Sequence, residues 1–248
     1  MSGRAVLITG ASRGIGRAVA TEFAAAGDRV AVHHRASADL AAGLVADLPG
    51  SGHAVIQADL ADPEAVRAMV DASADLLGGL DVLVNNAGVF TPHPITEVSY
   101  QNWQDQWQAT LGINLVGAAN VTWCAVQHMR GRGGRIINVS SRGAFRGEPN
   151  SPAYGASKAG LNALSQSLAR ALAPHGIAVS AVAPGFVATD MTNEHLKPPR
   201  GDEIRAQSPF GRVAEPEEIA AAVLYLASGR AEWASGTVLD LNGASYLR

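Results

Sequence analysis

The sequence predicts an α/β protein: a doubly wound parallel sheet of about seven strands with helices on both faces. Short apolar runs alternate with longer helical patterns from end to end. A glycine-rich turn joins the first run to the first helical pattern. The 248 residues, 47% hydrophobic and 17% charged, suffice for one core, and no linker, repeat or low-complexity tract divides them. Residues 1–248 therefore read as a single domain.

In order, strand Ala5–Thr9 leads into helix Ile15–Ala26, and strand Arg29–His33 into helix Ala38–Leu48. Strand His53–Gln57 precedes helix Pro63–Leu77, and strand Val82–Asn85 precedes a long helix, Tyr100–Met129. Strand Arg135–Ser140, helix Ala153–Ala173 and strand Ala178–Ala183 follow, then helix Pro216–Ala227 and strand Val238–Leu241. This alternation is what a parallel sheet with crossover helices requires. Only residues 186–212 break it. They carry Pro198, Pro199, Gly201, Pro209 and Gly211 among mixed polar residues, and a connection of that length is expected to be a substrate lid.

Composition excludes several classes. Net charge is -3 with no basic block, so nucleic acid and anionic membrane surfaces are not expected partners. Cys124 is the single cysteine, which rules out an intramolecular disulfide. The amino terminus enters a strand pattern within five residues, leaving no room for a signal peptide, and the longest apolar run, Ile219 to Ala227, is half a membrane span. A soluble cytoplasmic protein is expected.

Thr9-Gly10-Ala11-Ser12-Arg13-Gly14-Ile15-Gly16 lies between the first strand and the first helix. Glycines there let the backbone turn tightly and approach a pyrophosphate, whose charge is favoured by the free N–H groups at the helix start. The spacing differs from G-x-G-x-x-G, and the Gly-Lys-Ser/Thr of an ATP-binding loop is missing. About 20 residues on, where an acid would bind the ribose 2′-hydroxyl of NAD, the chain reads His33-His34-Arg35, with no acid before Asp39. Arg35 and Arg13 offer guanidinium forks for a 2′-phosphate, so NADP(H) is predicted over NAD. Asp59 and Leu60 end the third strand, placed to contact adenine, with a helix N-cap as the other reading of Asp59. Asn85, Asn86, Ala87 and Gly88 close the fourth strand, with small residues admitting a ligand and asparagines satisfying exposed strand ends.

Only two of the 19 basic residues are lysines, Lys158 and Lys197. Lys158 follows Tyr154 by one helical turn, so the two side chains share a face. A phenolate costs roughly 4 kcal/mol at pH 7. An ammonium about 4 Å away at an effective dielectric near 20 returns roughly as much. Lys158 is therefore expected to bring Tyr154 into range as a proton donor. Ser141 closes the fifth strand, at the end of the sheet where ligands bind, and can hold a substrate oxygen. No histidine is placed to activate it, and the hydrolase elbow is absent.

Thr9–Gly16, Asn85–Gly88, Asn114, Ser141, Tyr154-Gly155-Ala156-Ser157-Lys158 and Pro184-Gly185 together resemble the short-chain dehydrogenase/reductase family, from Arg4 to about Gly243. The 3-oxoacyl-[acyl-carrier-protein] reductases are most similar, through Gly134–Ser141 and Val182–Met191. The resemblance implies a Rossmann-like fold and hydride transfer between a nicotinamide and a carbonyl carbon. Tyr154 would exchange a proton with the substrate oxygen and Ser141 would hydrogen-bond it. Lys158 would lower the tyrosine pKa and hold the nicotinamide ribose, and Asn114 would anchor a water chain. Pro184, Gly185, Val187 and Thr189 would steady the nicotinamide end. The substrate would be a small carbonyl or alcohol, as a thioester on acyl carrier protein or coenzyme A, and the assembly a homotetramer.

Arg132 matches one basic carrier-docking position, while His175 stands where an arginine is expected at the other. A sugar, steroid or secondary-metabolite alcohol is the alternative substrate, for which Arg142, Phe145, Phe186 and Met191 would set the pocket. Arg142 and Arg146 read as solvated loop residues otherwise. A non-catalytic dinucleotide sensor is the reading from another class. Tyr100, Trp103, Trp107 and Leu111 form a helical stripe for packing or a substrate wall. Cys124 and His128 share a helix face without a third ligand, so no metal is expected.

Overall fold

Alternate residues of each central strand go to opposite cores, and this divides the molecule into layers. The computed structural model describes residues 3–190 and 192–248, with the backbone alone for 194 and 195. Seven parallel strands are ordered β3-β2-β1-β4-β5-β6-β7. They are β1 (Ala5–Ile8), β2 (Arg29–His34), β3 (Ala54–Gln57), β4 (Val82–Asn85), β5 (Gly134–Val139), β6 (Ile177–Pro184) and β7 (Val238–Leu241). Val6 and Ile8 pack against α1 (Gly14–Ala25) and α9 (Pro216–Leu226) through Phe23, Ile219 and Val223. Ala5 and Leu7 pack on the other face, against α3 (Pro63–Leu77) and α5 (Ala118–Met129), through Met69, Val121 and Met129. Helix α2 (Ala38–Asp47) completes the first face through Ala41 and Leu44.

The chain reverses its direction of winding between β1 and β4, and the carboxyl ends of those strands form the crevice of a doubly wound sheet. Gly10–Gly16 and Asn86–Gly88 both emerge there. The helix expected over Tyr100–Met129 is α4 (Tyr100–Leu111), a π-helical segment Gly112–Gly117, and α5. A wider turn shifts the pattern by a single residue per turn, which apolar periodicity does not register. By length and composition this 30-residue stretch would suffice for a membrane span, which a search for unbroken apolar runs overlooks. Here it lies along α3 and α7 (Pro152–Leu172).

Two short helices were not expected: α6 (Gly143–Arg146) and α8 (Arg200–Ala206), the latter within residues 186–212. Asp62, not Asp59, caps α3, accepting from the amides of Glu64 and Ala65.

Asn85 does not satisfy an exposed strand end. It is 3% exposed, and its Nδ2 donates to Asn138 Oδ1 at 2.8 Å and Thr122 Oγ1 at 2.9 Å. Asn138 in turn donates to Ser165 Oγ at 2.8 Å. Asn138→Leu removes the middle of this buried chain and is expected to cost about 1–3 kcal/mol of stability. Urea unfolding would read that as a lower midpoint at unchanged slope.

Candidate functional site

The nucleotide half starts from backbone. Gly10 takes φ 64°, and a Cβ there would stand 2.9 Å from Ala87 Cα. A Cβ on Gly16 would meet Gly10 O at 2.4 Å and Asn86 Nδ2 at 2.5 Å. The turn is thus pressed against the end of β4. Thr9 Oγ1 accepts from the amides of Asn86 and Ala87, each at 3.0 Å, and Asn86 Nδ2 donates back to Thr9 O and Gly10 O. Helix α1 starts without a side-chain cap or an acid in its first turn. Its leading amides remain available to an anion.

His33 enters the sequence only as part of the stretch that lacks an acid for NAD, and its role here is not legible there. Buried at the end of β2, its Nδ1 accepts the Gly10 amide at 2.9 Å, leaving Nε2–H to donate to Ala58 O at 3.1 Å. Burial lowers its pKa to about 4, so the ring is neutral in this role. Both partners lie across the sheet, and no local spacing announces them.

The chemical half hangs from β5 and α7. Ser141 follows β5 and its Oγ accepts the Gly143 amide at 3.0 Å. Tyr154 sits in the first turn of α7, its ring centre 4.9 Å from that of Phe90 with the two planes nearly perpendicular. Lys158 Nζ donates to Val139 O at 2.8 Å. Asn114, in the π-helical segment, grips Val89: its Nδ2 donates to Val89 O at 3.0 Å and its Oδ1 accepts from Val89 N at 2.8 Å. A second Nδ2 bond reaches Ser157 Oγ at 3.1 Å. A Cβ on Gly88 would lie 3.3 Å from Asn114 Oδ1 and 3.5 Å from Lys158 Nζ, so glycine keeps those two groups close.

The electrostatics depart from expectation. Lys158 Nζ stands 5.7 Å from the centre of the Tyr154 ring, without a hydrogen bond to the phenol. Tyr154 keeps one face on the cavity, yet burial pushes its pKa up to about 12; Ser141 opposes this by hydrogen bonding, and the Glu148 charge adds to it. Burial lowers Lys158 to about 8. An ammonium shut away from water takes the Val139 carbonyl as its acceptor, and in this state desolvation outweighs its attraction for a phenolate.

One cavity of about 350 Å³ joins the halves. It touches Gly10, Ser12, Arg13, Gly14, Ile15, Arg35, Asp59, Leu60, Asn86, Ala87, Gly88, Ser141, Tyr154, Lys158, Pro184, Gly185, Val187 and Thr189. Gly16 and Asn114 lie behind this wall. Val89, Ile113, Asp190 and Thr192 also line it and were not anticipated. Among the described residues, the side chains of Arg13 and Arg35 have no hydrogen-bond or ion-pair partner. Two unpaired guanidinium groups, an uncapped helix start and a glycine cradle fit the phosphates of NADP.

The residues expected to set a substrate pocket divide differently. Arg142 is 3% exposed rather than solvated, and it donates to Ser245 Oγ and, at 2.6 Å, to Gln207 Oε1. Its guanidinium lies 5.1 Å from the Phe186 ring centre, and both border a separate cavity of about 310 Å³. Phe145 packs against Ala181, Ala183 and Val238, under the Arg248 guanidinium at 4.1 Å. Each also answers to a partner about 100 residues away, Ser245 for Arg142 and Arg248 for Phe145, which local sequence does not reveal. Met191 lies outside the described residues.

Arg146 is 3.8 Å from Glu148 and donates to Gln207 Oε1 at 3.5 Å. Arg132 and His175 border a shallow groove at the amino ends of β5 and β6, opposite the cavity. Trp103 packs between Trp107 at 5.6 Å and His93 at 5.7 Å. Cys124 is buried, and His128 pairs with Asp71 of α3 at 2.8 Å. No metal-holding cluster occurs among the described residues.

Comparison with known proteins places this arrangement among relatives. A family model described as enoyl-(acyl carrier protein) reductase matches residues 10–243. The 3-oxoacyl-[acyl-carrier-protein] reductase FabG of Staphylococcus aureus is 38% identical over 98% of this chain and 98% of its own. The L-rhamnose 1-dehydrogenase (NAD(P)(+)) of Azotobacter vinelandii is also 38% identical, over 98% of this chain and 97% of its own. Among solved structures, a short chain dehydrogenase from Burkholderia cenocepacia in complex with NADP superposes with a TM-score of 0.89 at 36% identity, covering 98% of both chains. A dehydrogenase/reductase from Sinorhizobium meliloti reaches 0.91 at 32% identity, covering 100% of this chain and 96% of its own.

Proposed function

The chain belongs to the short-chain dehydrogenase/reductase family, and on that premise we propose that it is an NADP(H)-dependent reductase of a carbonyl to a hydroxyl. The observation that carries this reading is the single cavity joining Arg13 and Arg35 to Ser141, Tyr154 and Lys158. NADPH, when bound, supplies the hydride. Ser141 hydrogen-bonds the substrate oxygen and Tyr154 gives it a proton. A phenol whose pKa is pushed up to about 12 is protonated at neutral pH, the state a donor needs. Lys158, its ammonium held on the Val139 carbonyl, would bind the nicotinamide ribose, and Asn114 holds the Val89 backbone that walls the site. Val187, Thr189, Asp190 and Thr192 of the connection 186–212 line the cavity, which supports reading that connection as a lid.

A 3-oxoacyl thioester is the favoured substrate class, following the FabG likeness. Carrier docking has weaker support, since Arg132 is accompanied by His175 rather than a second arginine. An equal identity to a rhamnose dehydrogenase supports the second reading, a sugar or other polar alcohol. Trp123 and Val116, exposed along the long helix, suit burial in a homotetramer.

Cofactor choice tests the nucleotide half. The kcat/KM with NADPH should exceed that with NADH by about 10- to 100-fold, the worth of one or two charge-assisted hydrogen bonds. Arg13→Ala with Arg35→Ala should abolish most of that preference. Equal values in the unmodified protein would defeat it. A carbonyl panel followed by NADPH absorbance separates thioester reduction, reduction of other ketones, and binding without turnover.

A further inference from the structure

We infer that His93 caps the catalytic helix: its ring accepts the Ala153 amide and so fixes where Tyr154 presents its hydroxyl. The inference rests on the reading of Tyr154 as proton donor and names a positioning residue for it.

Helix α7 begins with unmet donors, as every helix does. Its N-cap residue, Ser151, makes no capping bond, and the Ser151 hydroxyl is buried without a partner. Pro152 has no N–H. The Tyr154 amide reaches back to Ser151 O at 3.0 Å. Ala153 alone remains in that turn, and its amide donates to His93 Nε2 at 3.2 Å. The cap is thus supplied from the loop after β4, across 60 residues.

The two ring partners fix the state of His93. The Thr91 carbonyl, 2.7 Å from Nδ1, can only accept, so Nδ1 carries the proton. The Ala153 amide can only donate, so Nε2 is bare. The ring is 0% exposed, with Trp103 set edge-on 5.7 Å away between ring centres. The His93 amide also donates to Asn150 O at 2.7 Å, just before α7. At the other end of the same loop Asn114 grips Val89, and Phe90 meets the Tyr154 ring at 4.9 Å. Residues 89–93 therefore touch Tyr154 from both sides: by its ring, and by the amide just before it.

The test compares three substitutions at this position. Glutamine places a polar atom where Nε2 stands; asparagine places one where Nδ1 stands; leucine has neither. Amide hydrogen exchange of residues 150–156 requires no substrate. His93→Leu and His93→Asn should accelerate exchange there by tenfold or more, and His93→Gln should keep most of the protection. With NADPH and the carbonyl turned over fastest by the unmodified protein, kcat should fall about 10- to 100-fold in the leucine and asparagine variants. It should recover in the glutamine variant, with NADPH Kd within twofold throughout.

Unchanged exchange and kcat in His93→Leu would overturn the inference. So would recovery by asparagine but not glutamine, which would assign the ring to Thr91 alone, or identical behaviour of all three. If the leucine variant does not fold, the glutamine–asparagine pair decides. Native turnover in Tyr154→Phe would instead sink the donor reading, while the exchange result would still stand or fall separately.

Discussion

Tyr154→Phe is expected to lower kcat for ketone reduction by about 10³-fold, within the range contributed by a positioned general acid. NADPH affinity should stay within about twofold, because the ring keeps its packing against Phe90 and only the hydroxyl is lost. Initial rates by NADPH absorbance, with Kd from NADPH fluorescence, would separate the two quantities. A near-native kcat would remove Tyr154 from the chemistry. The unmodified protein has a second signature. Alcohol oxidation needs the phenolate, and burial holds the phenol near 12. Oxidation should therefore climb from pH 7 toward pH 8, where Lys158 still carries its charge, while reduction, served by the neutral phenol, should not.

Lys158→Met is expected to act in opposite directions on activity and stability. Activity should fall more than 100-fold, as the cation that organises the site is gone. Stability at pH 7 should nevertheless rise. Burial lowers the lysine pKa from 10.5 to about 8, a shift that costs the folded state about 3 kcal/mol at neutral pH. Stranding the Val139 carbonyl returns about 1 kcal/mol of that.

The sign is fixed by proton counting. Between pH 8 and 10.5 the unfolded chain binds more protons than the folded one, so the unmodified protein gains stability as pH rises through that window. The methionine variant should show no such gain. Above pH 10 the raised Tyr154 pKa acts oppositely in both proteins, so unfolding midpoints between pH 7 and 10 are the measurement to make. A less stable methionine variant at pH 7 would show that the ammonium is already compensated.

Much of the site was legible because its parts are local. Tyr154 and Lys158 share a helical turn, Ser141 closes a strand, and Asn86–Gly88 follow another, so spacing alone carries them to one mouth. What escaped was set by partners from elsewhere in the chain. His33 answers to Ala58, Arg142 to Gln207 and Ser245, and Phe145 to Arg248. The acidity of Tyr154 was misjudged for a related reason: spacing fixes which face a lysine occupies, not which acceptor its ammonium chooses. Helices α6 and α8, of four and seven residues, are too short for periodicity to reveal.

The tail beyond β7 is stitched to the interior in three places. Gly243 O accepts from Ser208 Oγ, Ser245 Oγ accepts a hydrogen bond from Arg142, the residue following Ser141, and Arg248 ties back to Asp240 and Val238. Anyone producing this protein should therefore attach an affinity handle at the amino end. A peptide fused after Arg248 would tug on stitches that run within one residue of Ser141.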